Sequence, residues 1–141
     1  MATVFGKLNL KDQAIVVVIN SPHSFEDELR QLTGVKIVRD TRGLKSVEFA
    51  IMFVTRRKEV DRAARDLIKR AADDAILWFA YPKGTSKILE SEVNRDTGWE
   101  VLRSAGYDTV RSVAIDTDWS ALRFRRKEYI GGSRPRLAGR S

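Results

Sequence analysis

Three short segments of this chain are apolar at every position, and they constrain the fold more than any other feature. Ala14–Ile19 reads AIVVVI, Phe49–Val54 reads FAIMFV, and Ala75–Phe79 reads AILWF. Runs of five or six apolar residues without alternation are too short for most helices and are typical of strands that are covered on both faces. Such strands occur mainly in parallel sheets with helices on either side. The three segments therefore predict the central strands of an α/β sheet.

Helical spacing separates these strands. The clearest helix has apolar residues three and four positions apart with charged residues between them, at Val60, Ala63, Ala64, Leu67, Ile68 and Ala71. A shorter helix after the first strand has Ser24 as a candidate cap, an apolar face of Phe25, Leu29 and Leu32, and Gly34 as a stop. Val35–Val38 is a brief further strand candidate.

The last third of the chain predicts a helix followed by two strands. Asn94 or Asp96 is expected to cap a helix that ends at Gly106 and carries Trp99, Leu102 and Ala105 on one side. Thr109–Ile115 is a predicted strand, and Leu122 and Phe124 then alternate with Arg123 and Arg125, as in a half-exposed strand. Because only a short turn separates these strands, they must be antiparallel. The predicted fold class is a Rossmann-like three-layer α/β arrangement, with a mostly parallel open sheet that ends in an antiparallel hairpin.

The net charge of +7 is concentrated at the C-terminal end. Residues 123–141 contain seven Lys or Arg and one Glu, whereas residues 1–122 are almost neutral. We expect a single α/β domain over residues 1–128 and a flexible basic tail over residues 129–141. The tail offers a non-specific contact for nucleic acid through Arg134, Arg136 and Arg140.

Composition also bears on the cellular compartment in which the protein is expected. The chain has no Cys, which agrees with a reducing compartment, and its first residues lack the pattern of a signal peptide. No apolar run approaches the roughly 20 residues that a membrane span needs. We expect a cytoplasmic protein without a membrane partner, and the sequence does not indicate its oligomeric state.

Candidate site residues follow the central strands, because ligands bind outside the carboxyl ends of parallel strands. Asn20–Ser24, Thr55–Lys58 and Tyr81–Lys87 all fall at that edge. Hydroxyl groups, cations and free main-chain N–H groups there suit a phosphate or carboxylate. The predicted residues for a small anionic ligand are Ser21, His23, Ser24, Lys83, Gly84, Thr85 and Ser86. The alternative is that these hydroxyls only cap helices and turns while the cations lie in water.

Catalytic residues cannot be assembled from the sequence. His23 is the single His, which excludes a multi-histidine metal site. Lys83-Gly84-Thr85-Ser86 lacks the order of a phosphate-binding loop, and there is no glycine-rich dinucleotide motif. Asp116 and Asp118 are expected to bond their own backbone in a turn. We therefore predict no metal, leave the cofactor unknown, and favour a protein without catalytic activity.

Two resemblances to known families bear on these expectations. From Phe49 onward, the order strand, helix, strand, helix, hairpin resembles the second half of class I methyltransferases. Those enzymes have a glycine-rich turn after their first strand, where this chain has Asn20–Ser24, so we expect no cofactor contact of their kind there. The chain also contains the motifs W-x-x-x-P-K-G, from Trp78 to Gly84, and D-W-S-x-x-R, from Asp118 to Arg123. Through these motifs it resembles, over about Ala14–Arg126, a family of small uncharacterised bacterial proteins.

Three functions remain open on these grounds. The first is a non-catalytic module that binds an anion or a partner, which the missing catalytic set favours. The second is a degenerate or unusual methyltransferase-like transferase. The third is an accessory protein that binds nucleic acid non-specifically through its basic tail.

Overall fold

A six-stranded mixed sheet forms the centre of the computed structural model, which describes residues 3–130. Its strands are Ile15–Ile19 (β1), Lys36–Val38 (β2), Val47–Phe53 (β3), Ala71–Pro82 (β4), Tyr107–Ala114 (β5) and Trp119–Arg126 (β6). Their order across the sheet is β2-β1-β3-β4-β6-β5. The first four are parallel, and β6 pairs antiparallel with both β4 and β5. The predicted fold class is thereby confirmed.

Helices lie on both faces of this sheet. They span Val4–Lys7 (α1), Glu26–Arg30 (α2), Arg57–Arg70 (α3) and Glu100–Ser104 (α4), with single 3₁₀ turns at His23–Phe25 and Lys127–Tyr129. Among residues 3–130, no helix has the length and apolar character that crossing a bilayer requires.

Alternate residues of each central strand enter two separate cores. Val17 of β1 and Leu77 of β4 pack with Val60 and Leu67 of α3. Their neighbours Val16 and Trp78 face the opposite side, where they belong to the core around Phe5 of α1 and Leu29 of α2. Because consecutive buried residues of these strands enter opposite cores, the continuous apolar runs of the sequence are explained.

The three predicted central strands are confirmed, with changes at their ends. The third is much longer than its apolar run, because β4 begins at Ala71, directly after α3 ends at Arg70. The C-terminal hairpin is also confirmed. However, β6 lies between β4 and β5, and Leu122 and Phe124 are buried in the core on the α3 side.

Two predicted helix caps are wrong. Ser24 lies inside the 3₁₀ turn that precedes α2, and its side chain caps neither helix. Asn94 and Asp96 form a turn of their own, in which the Asn94 side chain accepts a hydrogen bond of 2.8 Å from the Asp96 amide. Trp99 occupies the cap position of α4 instead, and its indole N–H donates to the Asn94 carbonyl at 2.8 Å. The predicted stops at Gly34 and Gly106 both have positive φ, of 74° and 91°.

An unusually short crossover connects β2 to β3. Parallel strands are normally joined by a dozen or more residues that include a helix, whereas residues 39–46 cross here without one. The crossover lies on the α3 side, because Leu44 packs against that core and its carbonyl accepts a hydrogen bond of 2.7 Å from Arg70. No helix therefore covers the α3 side of β1 near its carboxyl end within the described chain.

The basic C-terminal end divides between the sheet and residues outside the described range. Arg123, Arg125 and Arg126 belong to β6, so part of the positive charge lies on the folded domain. Residues 131–141, which include Arg134, Arg136 and Arg140, lie outside the described residues. The basic tail therefore stays a prediction.

Candidate functional site

A crevice of about 390 Å³ lies at the carboxyl ends of β1 and β3. From β1 the chain proceeds to β2 on one side, whereas β3 lies on the other side, so the strand order reverses at this point. Open α/β sheets bind their ligands at such a switch point. The position of the crevice therefore makes it the leading candidate site.

The floor of this switch-point crevice is apolar and its rim is polar. Ile19 of β1, Met52 of β3 and Ala63 of α3 supply apolar surface. Asp40, Thr41, Glu59, Arg62 and Asp66 supply the polar groups. The apolar surface is accessible because the crossover from β2 to β3 has no helix. An apolar floor with a few polar groups is the usual character of a small-molecule site.

Asn20 directly follows β1 and has a left-handed conformation, with φ of 58°. Glycine adopts this conformation most easily, and Asn is one of the side chains that tolerate it. The chain therefore makes a tight turn after its first strand although no glycine is present. The exposed Asn20 also lines the crevice.

Asp40 lies just beyond the end of β2, twenty residues after Asn20. Its carboxylate accepts hydrogen bonds from the Arg42 amide at 3.0 Å and the Arg42 guanidinium at 3.1 Å. The Arg42 side chain and amide hold the pKa of Asp40 below its ordinary value. The carboxylate is thus ionised at neutral pH and remains exposed at the rim.

Thr41 and Asp66 fix the crossover to α3. The Thr41 hydroxyl donates to Oδ2 of Asp66, and Nε of Arg70 donates to Oδ1 at 2.9 Å. Burial raises the pKa of Asp66, but the bonds from Thr41 and Arg70 outweigh it, and the net shift is downward. Thr41 is itself buried. This wall of the crevice is therefore anchored by an ionised carboxylate.

Glu59 anchors the start of α3. Its Oε1 accepts from the amides of Thr55 at 2.9 Å and Arg56 at 3.0 Å. Burial raises the pKa of Glu59, but these bonds outweigh it and leave the pKa below its ordinary value. Because its oxygen is engaged with the backbone, Glu59 acts as a helix cap.

The predicted anion-binding residues after β1 have different surroundings. The Ser21 hydroxyl donates to Oε2 of Glu26 at 3.0 Å and accepts from Arg39 at 3.1 Å. Arg39 also pairs with both carboxylate oxygens of Glu26, and this hydrogen-bonded pair lowers the pKa of Glu26. His23 and Ser24 are exposed in the 3₁₀ turn.

The predicted residues after β4 form a turn against the C-terminal hairpin. The Lys83 amide donates to the Asp118 carbonyl at 2.8 Å, and the Ser86 hydroxyl donates to the Asp118 carboxylate at 2.8 Å. Gly84 and Thr85 are exposed. No hydrogen bond in the described range joins residues 21–24 to residues 83–86. An anion site between the two segments stays a prediction.

The acidic turn of the hairpin has two roles. Oδ1 of Asp116 accepts from the amides of Asp118 and Trp119, both at 2.8 Å, which confirms the predicted backbone bonding of Asp116. The same expectation is wrong for Asp118, whose carboxylate bonds Ser86. Trp119 packs edge-on against Phe53, with ring centroids 5.1 Å apart. Within residues 3–130, no three acidic or His side chains are grouped so that they could hold a metal ion.

The switch-point crevice was not identified by sequence reasoning. Asp40, Thr41 and Asp66 were assigned no role, because their proximity depends on the path of the crossover over α3. The spacing of twenty residues between the end of the first strand and Asp40 is the signal that could have indicated the site, since nucleotide-binding α/β folds place an acidic residue at about this distance.

Comparison with known proteins supports the fold. No protein-family model matches the chain, and no curated protein is significantly similar to it. Among solved structures, a SAM-dependent methyltransferase from Aquifex aeolicus is similar, with 15% identity, a TM-score of 0.57 and 86% of each chain covered. A putative type 11 methyltransferase from Sulfolobus solfataricus has 9% identity and a TM-score of 0.48, over 82% of this chain and 85% of that one. The first of these likenesses shows that the chain has a methyltransferase-like, Rossmann-like fold.

Proposed function

We propose that the chain binds an adenosyl cofactor, S-adenosylmethionine or its demethylated product, in the switch-point crevice and works as a methyltransferase-like protein. The observation that supports this most is the position of Asp40, at the end of β2 and on the rim of an apolar crevice at the switch point. The Aquifex aeolicus protein, which shares the fold, is a SAM-dependent methyltransferase.

Asp40 suits the ribose of such a cofactor. An acidic side chain at this point in nucleotide-binding α/β folds accepts hydrogen bonds from ribose hydroxyls. The Asp40 carboxylate is ionised at neutral pH, and Arg42 lowers its pKa further below the ordinary value. Its bonds to Arg42 leave further lone pairs free, since an ionised carboxylate offers about four acceptor sites.

The apolar floor suits the adenine ring. Ile19, Met52 and Ala63 line the crevice without charge, and Asn20 and Thr41 carry polar groups that can bond polar atoms of the base. In this arrangement the cofactor lies on the α3 side of the turn that follows β1. It therefore does not need the glycine backbone contacts that residues 20–24 lack.

Methyl transfer from a sulfonium requires chiefly that the acceptor atom be aligned behind the methyl group, since positioning alone lowers such barriers. A crevice open to solvent at the sheet edge allows an acceptor to approach. Binding of the cofactor and transfer of its methyl group are separable by experiment.

Isothermal titration calorimetry with S-adenosylmethionine and S-adenosylhomocysteine tests binding. We expect Asp40→Asn, which keeps the acceptor for the Arg42 amide, to weaken binding at least tenfold. Ala63→Phe, which fills the floor, should abolish it. The matched control is Asp12→Asn, an exposed acid before β1 that should leave the affinity unchanged. Equal affinities in wild type and Asp40→Asn, or no heat with either ligand, would contradict the proposal.

A second measurement separates a transferase from a binding module. The wild-type protein is incubated with methyl-labelled S-adenosylmethionine and a bacterial extract, and label in macromolecules or small products is counted. Transfer that disappears in Ala63→Phe supports an enzyme. Tight binding without transfer supports the non-catalytic alternative.

We also propose membership of the family of small uncharacterised bacterial proteins that share the two tryptophan motifs. The support is that the motifs are adjacent in space, because Pro82 pairs with Trp119 and Trp78 pairs with Arg123 across β4 and β6. Binding of S-adenosylmethionine can be measured in one member before and after replacement of the residue that corresponds to Asp40. A loss of binding would support a shared site.

A further inference from the structure

Two arginines lie directly opposite each other on neighbouring strands. Arg111 of β5 and Arg123 of β6 are paired residues in the antiparallel ladder. Opposed residues point to the same face, with Cβ atoms about 4.5–5.5 Å apart. Like charges in this arrangement repel and destabilise the sheet. Such a pair therefore needs an explanation.

The face that carries this pair is the one opposite α3 and α4. Val113 and Ala121, the next pair along the same face of β5 and β6, belong to the core on the α1 side. Arg123 is also paired with Trp78 of β4, which faces that core. The stem of Arg123 is thus half-buried beside apolar side chains, whereas Arg111 is exposed.

The available acid on this face is already engaged. Asp74 accepts two hydrogen bonds from Arg125, at 2.7 Å and 2.6 Å. Within residues 3–130, neither Arg111 nor Arg123 forms an ion pair, and the buried Nε of Arg123 has no hydrogen-bond partner. Burial lowers the pKa of Arg123, and the charges of Arg125 and Arg111 lower it further, against the opposing effect of Asp74. A buried donor without an acceptor is costly.

We propose that Arg111 and Arg123 form a phosphate-binding site on this face of the sheet, distinct from the switch-point crevice. Guanidinium groups bind phosphate oxygens in a planar, two-bond geometry that lysine cannot reproduce. A phosphate bound over the two paired side chains, on this face of the sheet, would neutralise the charges of both guanidinium groups. The phosphate belongs either to a small molecule or to a nucleic-acid backbone, which have the same recognition chemistry.

Binding is tested on the full chain with two probes. Inorganic phosphate is titrated by calorimetry, and a short labelled single-stranded oligonucleotide by fluorescence anisotropy. We expect Arg111→Gln and Arg123→Met each to weaken binding at least tenfold. The control is Arg65→Gln, an exposed arginine on α3 at the opposite face. If the variants weaken the binding of both probes, the site is assigned to nucleic acid. If they weaken the binding of inorganic phosphate, and oligonucleotide binding is absent or unchanged, the site is assigned to a small phosphate compound. No binding of either probe, or equal binding in all variants, would overturn the proposal.

Thermal unfolding distinguishes a binding role from a structural one. Because Arg123→Met removes an unpartnered buried donor and a repulsive charge, we expect its melting temperature to equal or exceed that of the wild type without phosphate. Phosphate should raise the melting temperature of the wild type and of Arg65→Gln, but not that of Arg123→Met. A lower melting temperature for Arg123→Met, together with the same response to phosphate as the wild type, would show that Arg123 only supports the fold.

Discussion

Ser86 donates a hydrogen bond of 2.8 Å from its hydroxyl to Oδ1 of Asp118, which is 32 residues further along the chain. The Lys83 amide donates to the carbonyl of the same aspartate. These bonds join the loop after β4 to the turn between β5 and β6. The two motifs noted in the sequence are therefore parts of one structural unit, which closes the carboxyl end of β4.

Replacing Ser86 by Ala should loosen this unit. The hydroxyl also accepts from the amides of Ile88 at 3.4 Å and Leu89 at 3.2 Å, so the substitution removes three bonds from a half-buried group. We expect the free energy of unfolding to fall by about 1–2 kcal/mol, measured by urea denaturation. Thr85→Ala, one residue away and exposed, is the control and should change it by less than about 0.5 kcal/mol. Equal effects of the two substitutions would contradict the role of Ser86.

The central strands of the sheet could be predicted from the sequence, because burial on both faces requires consecutive apolar residues in β1, β3 and β4. The switch-point crevice could not be predicted. That cavity exists because residues 39–46 cross without a helix, and the polar contact between Thr41 and Asp66 spans 25 residues. The cap assignments at Ser24, Asn94 and Asp96 were wrong because these residues lie in local turns that precede the helices, and cap propensity does not show where a helix begins. The opposition of Arg111 and Arg123 depends on strand register, which alternation alone does not fix.

Trp78 ties the N-terminal segment to the centre of the sheet. Its indole nitrogen donates a hydrogen bond of 2.9 Å to the Leu8 carbonyl, and both residues are fully buried. Trp78→Phe leaves that carbonyl without its partner and creates a small void. We expect a loss of about 2–4 kcal/mol in the free energy of unfolding. Trp119→Phe is the comparison. The described contacts of Trp119 include no hydrogen bond from its indole, so this substitution should lower the free energy of unfolding by less. A loss under about 1 kcal/mol for Trp78→Phe would be inconsistent with this anchor.

Low pH should weaken the contact through which Asp66 of α3 holds the crossover between β2 and β3. The folded-state pKa of Asp66 is lower than its unfolded value of about 3.9, so its ionised form stabilises the fold above that pH. This contribution is lost as pH falls through the folded-state pKa. We expect Asp66→Asn to be less stable than the wild type at neutral pH, by about 1 kcal/mol after allowing for solvent screening of a partly exposed pair.

The difference in the free energy of unfolding between Asp66→Asn and the wild type should shrink as the pH falls below about 4, which urea denaturation at each pH measures. Asp61→Asn, on the same helix, serves as the control because its carboxylate has no hydrogen bond within residues 3–130. A constant difference across this range would exclude the carboxylate of Asp66 as the stabilising group.

The C-terminal basic residues make a separate electrostatic prediction. If Arg134, Arg136 and Arg140 contact nucleic acid, the binding should be independent of sequence and should weaken with salt. Each phosphate contact contributes roughly 0.9 to the slope of log affinity against log salt, so three to five contacts give a slope of about 2.7 to 4.5. Replacing the three arginines by Gln should lower that slope by about 2 to 3, measured by filter binding at several salt concentrations. Arg65→Gln should lower the slope by less than about 1, because its exposed guanidinium lies on α3. An unchanged slope in the triple variant, together with a reduced slope in Arg111→Gln, would show that the sheet contacts the nucleic acid and the C-terminal segment does not.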